Sequence, residues 1–181
     1  RSLNRAVPFP YLFLMIIGFF GKGGSGKTTT SSLFIRTIHP LYTQTLAIDA
    51  DHNQDLAFNL GISEMTKYIG RSEKELETLM KEDRAFRLDP VDAFTERYTQ
   101  SVGSKLRVMV CGPHTEEIYQ GEVCSHSLLK PVLKYVSHLT LQQDQLVVID
   151  NTAGMDSIGV GIPSLIDIAG ICVEPTIHSQ R

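Results

Sequence analysis

The chain has 181 residues, of which 42% are hydrophobic and 20% charged, with a formal net charge of −3 at pH 7. These proportions fit one soluble globular domain with a sizeable core, and the slightly acidic balance argues against nucleic acid as a principal partner. Three cysteines, Cys111, Cys124 and Cys172, are too few for a disulfide-stapled secreted domain, so we expect a cytoplasmic protein. Cys111 and Cys172 are expected to be small buried side chains.

The N-terminal residues 8–20 are almost entirely apolar. They are too short for a membrane-spanning helix, which needs roughly 20 residues, and they lack the small-residue cleavage site of a signal peptide. We therefore predict a buried first strand over residues 15–20, a non-core N-terminal extension over residues 1–14, and no stable membrane insertion.

Further along the chain, short apolar runs alternate with helix-forming segments. Residues 27–38 have helical spacing, and His39-Pro40 ends that helix because proline disfavours helix in the residue before it. Further strands are predicted at residues 45–50, 106–110, 145–150 and 168–174, with a helical turn within 157–166. This alternation is typical of an α/β fold with a mostly parallel sheet covered by helices on both faces.

Residues 62–104 are charged and mostly helix-forming, without a buried-strand run. We interpret them as a surface helical insertion within a single domain that spans residues 15–181. A doubly wound domain would continue beyond the fifth predicted strand, so we expect a C-terminal truncation that removes part of the site, including the residues that recognise adenine.

A glycine-rich loop lies between the first predicted strand and the first predicted helix. It fits G-x-x-x-x-G-K-[ST] with Gly21, Lys22, Gly23, Gly24, Ser25, Gly26, Lys27 and Thr28, followed by Thr29. Glycines let the backbone N–H groups fold around phosphate oxygens, and the helix N-terminus adds partial positive charge. The motif predicts a P-loop NTPase that binds ATP, with Lys27 on the β- and γ-phosphates and the Thr28 hydroxyl on Mg²⁺.

Lys22 gives this loop a second lysine, in the pattern K-G-G-x-G-K-T-T. The pattern resembles the deviant phosphate loop of the MinD/ParA and nitrogenase iron-protein superfamily. That resemblance implies an ATP-dependent homodimer in which Lys22 reaches the partner's nucleotide, so that Lys22 and Lys27 both serve catalysis. A solvated surface lysine is the alternative.

Carboxylates follow two of the predicted strands. Asp51 and Asp55 resemble the family's switch segment after its second strand, and the resemblance assigns Asp51 to the attacking water and Asp55 to the surroundings of Mg²⁺. Asp150 resembles the family's Mg²⁺-binding strand end, and Gly154 the second switch, whose backbone N–H groups sense the γ-phosphate. Because ligands bind at the carboxyl ends of parallel strands, Asp51 and Asp150 should lie at one edge, where phosphoryl transfer needs an oriented water and charge neutralisation. Asp49 is expected to end the strand or to cap the turn.

Cys124 and His126 follow a Gly-Pro segment that starts at Gly112. The region is similar both to the cluster-binding region of the nitrogenase iron protein and to the C-x-C region of the CooC-type ATPases that insert nickel into carbon monoxide dehydrogenase. One cysteine here in each subunit cannot supply the four thiolates of an iron–sulfur cluster. A Cys and a His from each of two subunits could supply four ligands for Zn²⁺ or Ni²⁺. The alternative is a plain helix start with Ser125 as its cap.

Residues 150–162 and 173–176 are also most similar to the nickel-insertion ATPases. The resemblance therefore implies an ATP-hydrolysing dimerisation switch that uses Mg²⁺, serves a metalloenzyme client and holds Zn²⁺ or Ni²⁺ between subunits. Two other classes stay open. One is a positioning ATPase of the ParA/MinD type that acts on DNA or membrane, and the other is an iron-protein-like ATP-dependent reductase, which the cysteine count disfavours.

Overall fold

The structure is a computed structural model that describes residues 15–89 and 92–175. Within these ranges the strands are Met15–Gly21 (β1), Gln44–Ala50 (β2), Thr99–Val102 (β3), Leu106–Val110 (β4), Gln145–Asn151 (β5) and Ile168–Cys172 (β6). The α-helices are Lys27–Ile38 (α1), Asp55–Asn59 (α2), Glu73–Lys81 (α3), Ala93–Tyr98 (α4), Glu116–Tyr119 (α5), Lys130–Ser137 (α6) and Asp156–Val160 (α7). Short 3₁₀ helices cover His39–Leu41, Ile69–Arg71, Ser125–Leu128 and Ile162–Leu165. The proposed extension at residues 1–14 and the similarity at Thr176 lie outside the described residues.

The strands form one sheet in the order β3-β4-β2-β5-β1-β6. All neighbouring pairs are parallel except β3 with β4. The α/β prediction with a mostly parallel sheet is confirmed, and α1 and β4 have the predicted bounds. The last strand is shorter than predicted, since β6 ends at Cys172.

Strand β2 shows why the sheet is buried on both faces. Successive side chains of a strand point to opposite faces, so Leu46 and Ile48 pack into one apolar cluster and Ala47 into the other. Helices α1 and α2 cover the second cluster through Ile35 and Leu56. Because both faces are covered, the strand reads as a continuous apolar run rather than an alternating one.

Residues 62–104 lie between β2 and β4 and hold helices, as predicted, but they are not confined to the surface. The segment holds helices α3 and α4 and the antiparallel edge strand β3, which the composition did not predict. Leu76, Phe86 and Phe94 are at most 2% exposed, and the two phenylalanines pack on Tyr135 of α6. The charged side chains lie on the outer sides of helices whose apolar sides complete the core, so the segment covers one face of the sheet.

Near the end of the described chain, α7 and the 3₁₀ helix Ile162–Leu165 supply the helical turn that was predicted for residues 157–166. Helix α6, which was not predicted, fills the space between α3 and the sheet, where Lys134 pairs with Glu73 and Glu77 of α3. None of the helices in residues 15–89 and 92–175 has the length and apolar character needed to cross a membrane.

Candidate nucleotide-binding site

The phosphate loop joins β1 to α1 at the carboxyl edge of the sheet. A Cβ at Gly21 would lie 2.4 Å from the carbonyl oxygen of Cys172, so only glycine lets the loop pass β6 at this distance. Gly26 has a φ of 82° immediately before α1, a left-handed conformation that glycine adopts without strain. The sequence thus forms a tight loop that leads into a helix N-terminus, the arrangement that binds phosphate.

Lys27 is held inside this loop. The residue is 6% exposed, and its Nζ donates a hydrogen bond to the carbonyl oxygen of Lys22 at 3.1 Å. The ammonium group therefore lies within the loop that is predicted to line the phosphates. Lys22 itself is exposed, as are Gly23 and Gly24.

Asp150 lies near the end of β5, beside the start of α1. It is 0% exposed, and neither carboxylate oxygen is satisfied by a hydrogen bond from the described residues. Burial raises its pKa to about 6, while the neighbouring Thr28 and Ser31 hydroxyls and the charge of Lys27 act in the opposite direction. The two hydroxyls are close to Asp150 but do not meet hydrogen-bond geometry, and a buried carboxylate in this state is costly unless a cation compensates it. Carboxylate and hydroxyl oxygens suit Mg²⁺. The donor set of Thr28 and Asp150 therefore fits this ion.

Asp49 is equally buried but is fully engaged with the backbone. Its Oδ1 accepts the N–H of Asp51 at 3.2 Å, and its Oδ2 accepts the N–H of Ala57 at 3.0 Å. Burial is the main reason why its pKa rises to about 7, with a further increase from Asp150. Asp49 thus caps the turn after β2, which is one of the two roles expected from the sequence.

Asp51 and Asp55 lie in the segment that Asp49 holds. Asp51 is half-buried, its Oδ1 accepts the N–H of Asn53 at 3.0 Å, and its charge helps to raise the pKa of Asp150. The structure thus brings Lys27, Thr28, Asp51 and Asp150 to one edge of the sheet. Asp55 is exposed at the first turn of α2, and its role near Mg²⁺ stays a prediction.

Gly154 belongs to the segment after β5. Gly23 and Ala153 face each other across the loop, with 3.9 Å between an added Cβ at Gly23 and the Cβ of Ala153. Gly154 and Lys22 also border a groove of about 560 Å³ whose walls are mostly apolar. Thr29 is exposed on the first turn of α1. The segment after β5 therefore lies directly against the phosphate loop.

Two features of the site were missed by sequence reasoning. Ser31 acts on Asp150 from one turn beyond Thr28, and the i, i+3 spacing on α1 could have revealed it. His52 and His114 pack with their ring centroids 4.1 Å apart and connect the segments that follow β2 and β4. Burial is the main cause that lowers the pKa of His52. Because His52 and His114 are far apart in the chain, no local sequence pattern predicts their contact.

Cys124 and His126 converge as their spacing predicted. Cys124 Sγ lies 2.5 Å from His126 Nδ1, and His126 Nε2 lies 3.1 Å from Asp156 Oδ1. The contact with His126 lowers the pKa of Cys124, and the same contact raises the pKa of His126. The N-cap position of the 3₁₀ helix over Ser125–Leu128 is held by Cys124, and the Ser125 hydroxyl donates to Asp156 instead, which counts against Ser125 as the cap. Within the described ranges, no group of three or more Cys, His, Asp or Glu side chains is arranged to hold a metal ion.

The other two cysteines, Cys111 and Cys172, differ in burial. Cys111 is 0% exposed in the core, as expected. Cys172 is only half-buried and lines a cavity of about 160 Å³ beside the phosphate loop, so its predicted burial is wrong. The reason is that, among the described residues, β6 is the outermost strand on its side of the sheet.

The curated relatives of the chain include proteins that are named as ATP-binding. No protein-family model matches the chain. It is 29% identical over 171 residues to an uncharacterised ATP-binding protein of Methanocaldococcus jannaschii, which covers 91% of this chain. It is 28% identical over 178 residues to the carbon monoxide dehydrogenase accessory protein CooC of Rhodospirillum rubrum, which covers 92% of this chain. The chain spans 65% of the length of each of these two relatives.

Solved structures show the same fold. The septum site-determining protein MinD from Pyrococcus horikoshii, complexed with Mg-ADP, matches with a TM-score of 0.59 at 20% identity, over 92% of this chain and 60% of that chain. A putative plasmid partition protein from Borrelia burgdorferi, bound to AMPPNP, matches with a TM-score of 0.57 at 19% identity, over 93% and 66%. The chain is thus similar in sequence to ATP-binding proteins and to CooC, and it has the fold of MinD and of the partition protein.

Proposed function

We propose that the protein is an ATP-hydrolysing switch whose two subunits associate when ATP is bound. The observation that carries this proposal is the buried, unsatisfied carboxylate of Asp150 beside Thr28, at the start of the helix that the phosphate loop leads into. A loop that binds phosphate, next to oxygen ligands that suit Mg²⁺, supports a Mg·nucleotide complex.

Each site residue has a role in the proposed reaction. Lys27 binds the β- and γ-phosphates, and Thr28 and Asp150 hold Mg²⁺, directly or through water. The ion neutralises charge on the transferred phosphoryl group when it is bound. Asp51, half-buried at the end of β2, orients the water that attacks the γ-phosphate. Phosphoryl transfer depends on such positioning and charge stabilisation more than on covalent chemistry.

The surface around the phosphate loop supports association with a second copy. Met155 is 69% exposed, Ile158 47% and Ile171 72%, and all three line the groove that Lys22 borders. An apolar patch beside an exposed lysine is suited to an interface. In the proposed dimer Lys22 reaches the nucleotide of the other subunit.

More specifically, we propose that this switch serves metallocentre maturation and that its client is a metalloenzyme. It is supported by the similarity to CooC and by the convergence of Cys124 Sγ and His126 Nδ1. A thiolate and an imidazole suit Zn²⁺ or Ni²⁺. Since one subunit supplies two ligands here, two subunits would complete a four-ligand site on their shared axis.

The test measures phosphate release from Mg·ATP and the metal content of the purified protein with ATP. We expect hydrolysis, and about one Zn²⁺ or Ni²⁺ ion per dimer by elemental analysis. Cys124→Ser and His126→Gln should lose the metal and keep ATP binding, while the control His138→Gln, at the end of α6, should keep both. Absence of hydrolysis would reject the switch, and metal retained in Cys124→Ser would reject the metal site.

A positioning ATPase is the second candidate, because MinD and a partition protein share the fold. The net charge of −3 counts against DNA as the surface on which it acts. The two candidates differ in a simple assay. ATP-dependent co-sedimentation with non-specific DNA or with vesicles of anionic lipid, in a protein that contains no Zn²⁺ or Ni²⁺, would favour the positioning role.

A further inference from the structure

Asp156 connects two parts of the molecule. It is the first residue of α7, which follows the segment after β5 that is expected to sense the γ-phosphate. Its carboxylate reaches away from that segment, to His126 Nε2 at 3.1 Å and to the Ser125 hydroxyl at 3.5 Å. Its charge also acts on His52, the neighbour of Asp51, where it opposes the lowering of the pKa that burial causes. One side chain thus links the nucleotide edge to the turn that carries Cys124.

The contact with Asp156 favours one tautomer of His126, and with it the nitrogen that is available to a cation. When Nε2 donates its proton to the carboxylate, Nδ1 keeps its electron pair. Nδ1 is the atom that contacts Cys124 Sγ at 2.5 Å, so the two donor atoms need to separate only by about 1 Å to ligate one tetrahedral ion. A carboxylate that orients the far nitrogen of a ligating histidine commonly sets the affinity of such sites.

The contact between His126 and Asp156 is weak enough to break and re-form. The side chains of His126 and Asp156 are 39% and 35% exposed, and ion pairs with this exposure are weak. Gly154, two residues before Asp156, has a φ of 82°, and a Cβ added there would meet nothing within 4 Å. Glycine at this position can change its backbone dihedral angles at little cost, so a rearrangement of the segment around a nucleotide would carry Asp156 with it.

We infer that Asp156 is a positioning residue through which the nucleotide state sets the affinity of Cys124 and His126 for a thiophilic divalent cation. The inference rests on the proposed metal function of that pair. It adds the connection between the two sites: a change in the segment after β5 moves Asp156, and His126 then gains or loses the orientation that directs Nδ1 toward the thiol.

The experiment uses Co²⁺ as the probe, because thiolate coordination gives it a charge-transfer absorbance. The purified protein is titrated with Co²⁺ in the presence of ADP and, separately, of AMPPNP. We expect different affinities in the two nucleotide states. Asp156→Ala should lower the Co²⁺ affinity of the tighter-binding nucleotide state about 10- to 100-fold. The affinities in ADP and in AMPPNP should then become similar. Asp156→Asn keeps an oxygen that accepts the Nε2 proton and should restore part of the difference. Glu82→Ala, which removes an exposed carboxylate at the end of α3, should behave as the parent protein.

A second readout needs no metal. The rate at which iodoacetamide alkylates Cys124, located by mass spectrometry, is compared in ADP and AMPPNP for the same variants. A nucleotide-dependent rate that disappears in Asp156→Ala supports the connection even if Co²⁺ does not bind, in which case the metal function alone is rejected. Affinities or rates that do not depend on nucleotide in the parent protein, or that keep their dependence in Asp156→Ala, overturn the inference.

Discussion

Asp49 and Asp150 are paired in register on neighbouring parallel strands, and both are 0% exposed. The Asp49 carboxylate accepts two backbone N–H groups, whereas the oxygens of Asp150 are left unsatisfied. Two adjacent buried carboxyls therefore have different tasks. Asp49 fixes the segment that carries Asp51, and Asp150 is the carboxylate that we propose for Mg²⁺.

The first prediction concerns how much Asp150 destabilises the folded protein when no nucleotide is bound. Its folded pKa of about 6 lies above the ordinary value of 3.8. A raised pKa means that the folded state binds the proton more tightly, so the stability that this group contributes is present below pH 4 and is lost as pH rises through 6. Asp150→Asn should therefore raise the free energy of unfolding at pH 7.5, by at most about 3 kcal/mol, and much less at pH 4.

Urea unfolding of both proteins at the two pH values measures this gain. The same variant should lose the Mg²⁺ dependence of ATP binding, since a neutral amide is a poor ligand for that ion. Equal stability of variant and parent at pH 7.5 would show that Asp150 is satisfied in solution.

The second prediction concerns Lys27. Lys27→Ala should weaken binding of Mg·ATP about 10- to 100-fold, the usual worth of a hydrogen bond to a charged group. Calorimetry measures the affinity, and Lys130→Ala, an exposed lysine at the start of α6, is the control. Unchanged affinity in Lys27→Ala would remove the basis for the phosphate site.

The third prediction separates binding from turnover. Asp51→Asn should bind ATP normally and hydrolyse it about 100-fold more slowly, because the carboxylate that orients water is lost. Single-turnover phosphate release, together with the binding affinity, distinguishes the possible roles. Loss of binding would assign Asp51 to Mg²⁺ instead, and normal turnover would make it structural.

The fourth prediction concerns Lys22 and association. Lys22→Ala should bind ATP as a monomer and fail to dimerise, because the proposed contact of Lys22 is with the other subunit's nucleotide. Sedimentation velocity with AMPPNP compares it with the parent and with Lys130→Ala. A normal dimer with normal hydrolysis would show that Lys22 is an ordinary surface lysine.

The fifth prediction tests the core role of residues 62–104. Phe86 is 0% exposed and packs on Phe94 and Tyr135, so Phe86→Ala should cost about 3–5 kcal/mol of unfolding free energy. Phe58 is 72% exposed, and Phe58→Ala should change stability by less than about 0.5 kcal/mol. Chemical denaturation gives both values. A small loss for Phe86→Ala would restore the interpretation of this segment as a surface insertion.

The phosphate loop was predictable because its chemistry depends on contiguous residues. The glycines around Ser25 set the backbone conformation, and Lys27 and Thr28 follow at a fixed spacing on the helix that the loop begins. The parallel sheet was predictable for a similar reason, since strands buried on both faces are continuous apolar runs.

The contacts between distant segments were not predictable from the sequence. Asp49 and Asp150 both end apolar strands, and only the tertiary structure decides that Ala57 donates to one while neither oxygen of the other is satisfied. In the same way, the charged composition of residues 62–104 hid Phe86, because burial depends on which side of a helix meets the sheet.

The sequence by itself therefore determined the fold class, the phosphate loop and the proximity of Cys124 to His126, each from local spacing. Only the tertiary structure decided that Asp156, 30 residues beyond His126 in the chain, contacts its ring. The physical reason is that backbone conformation depends mainly on neighbours in the chain. Hydrogen-bond satisfaction and burial depend on which distant segments the folded sheet brings to the same edge.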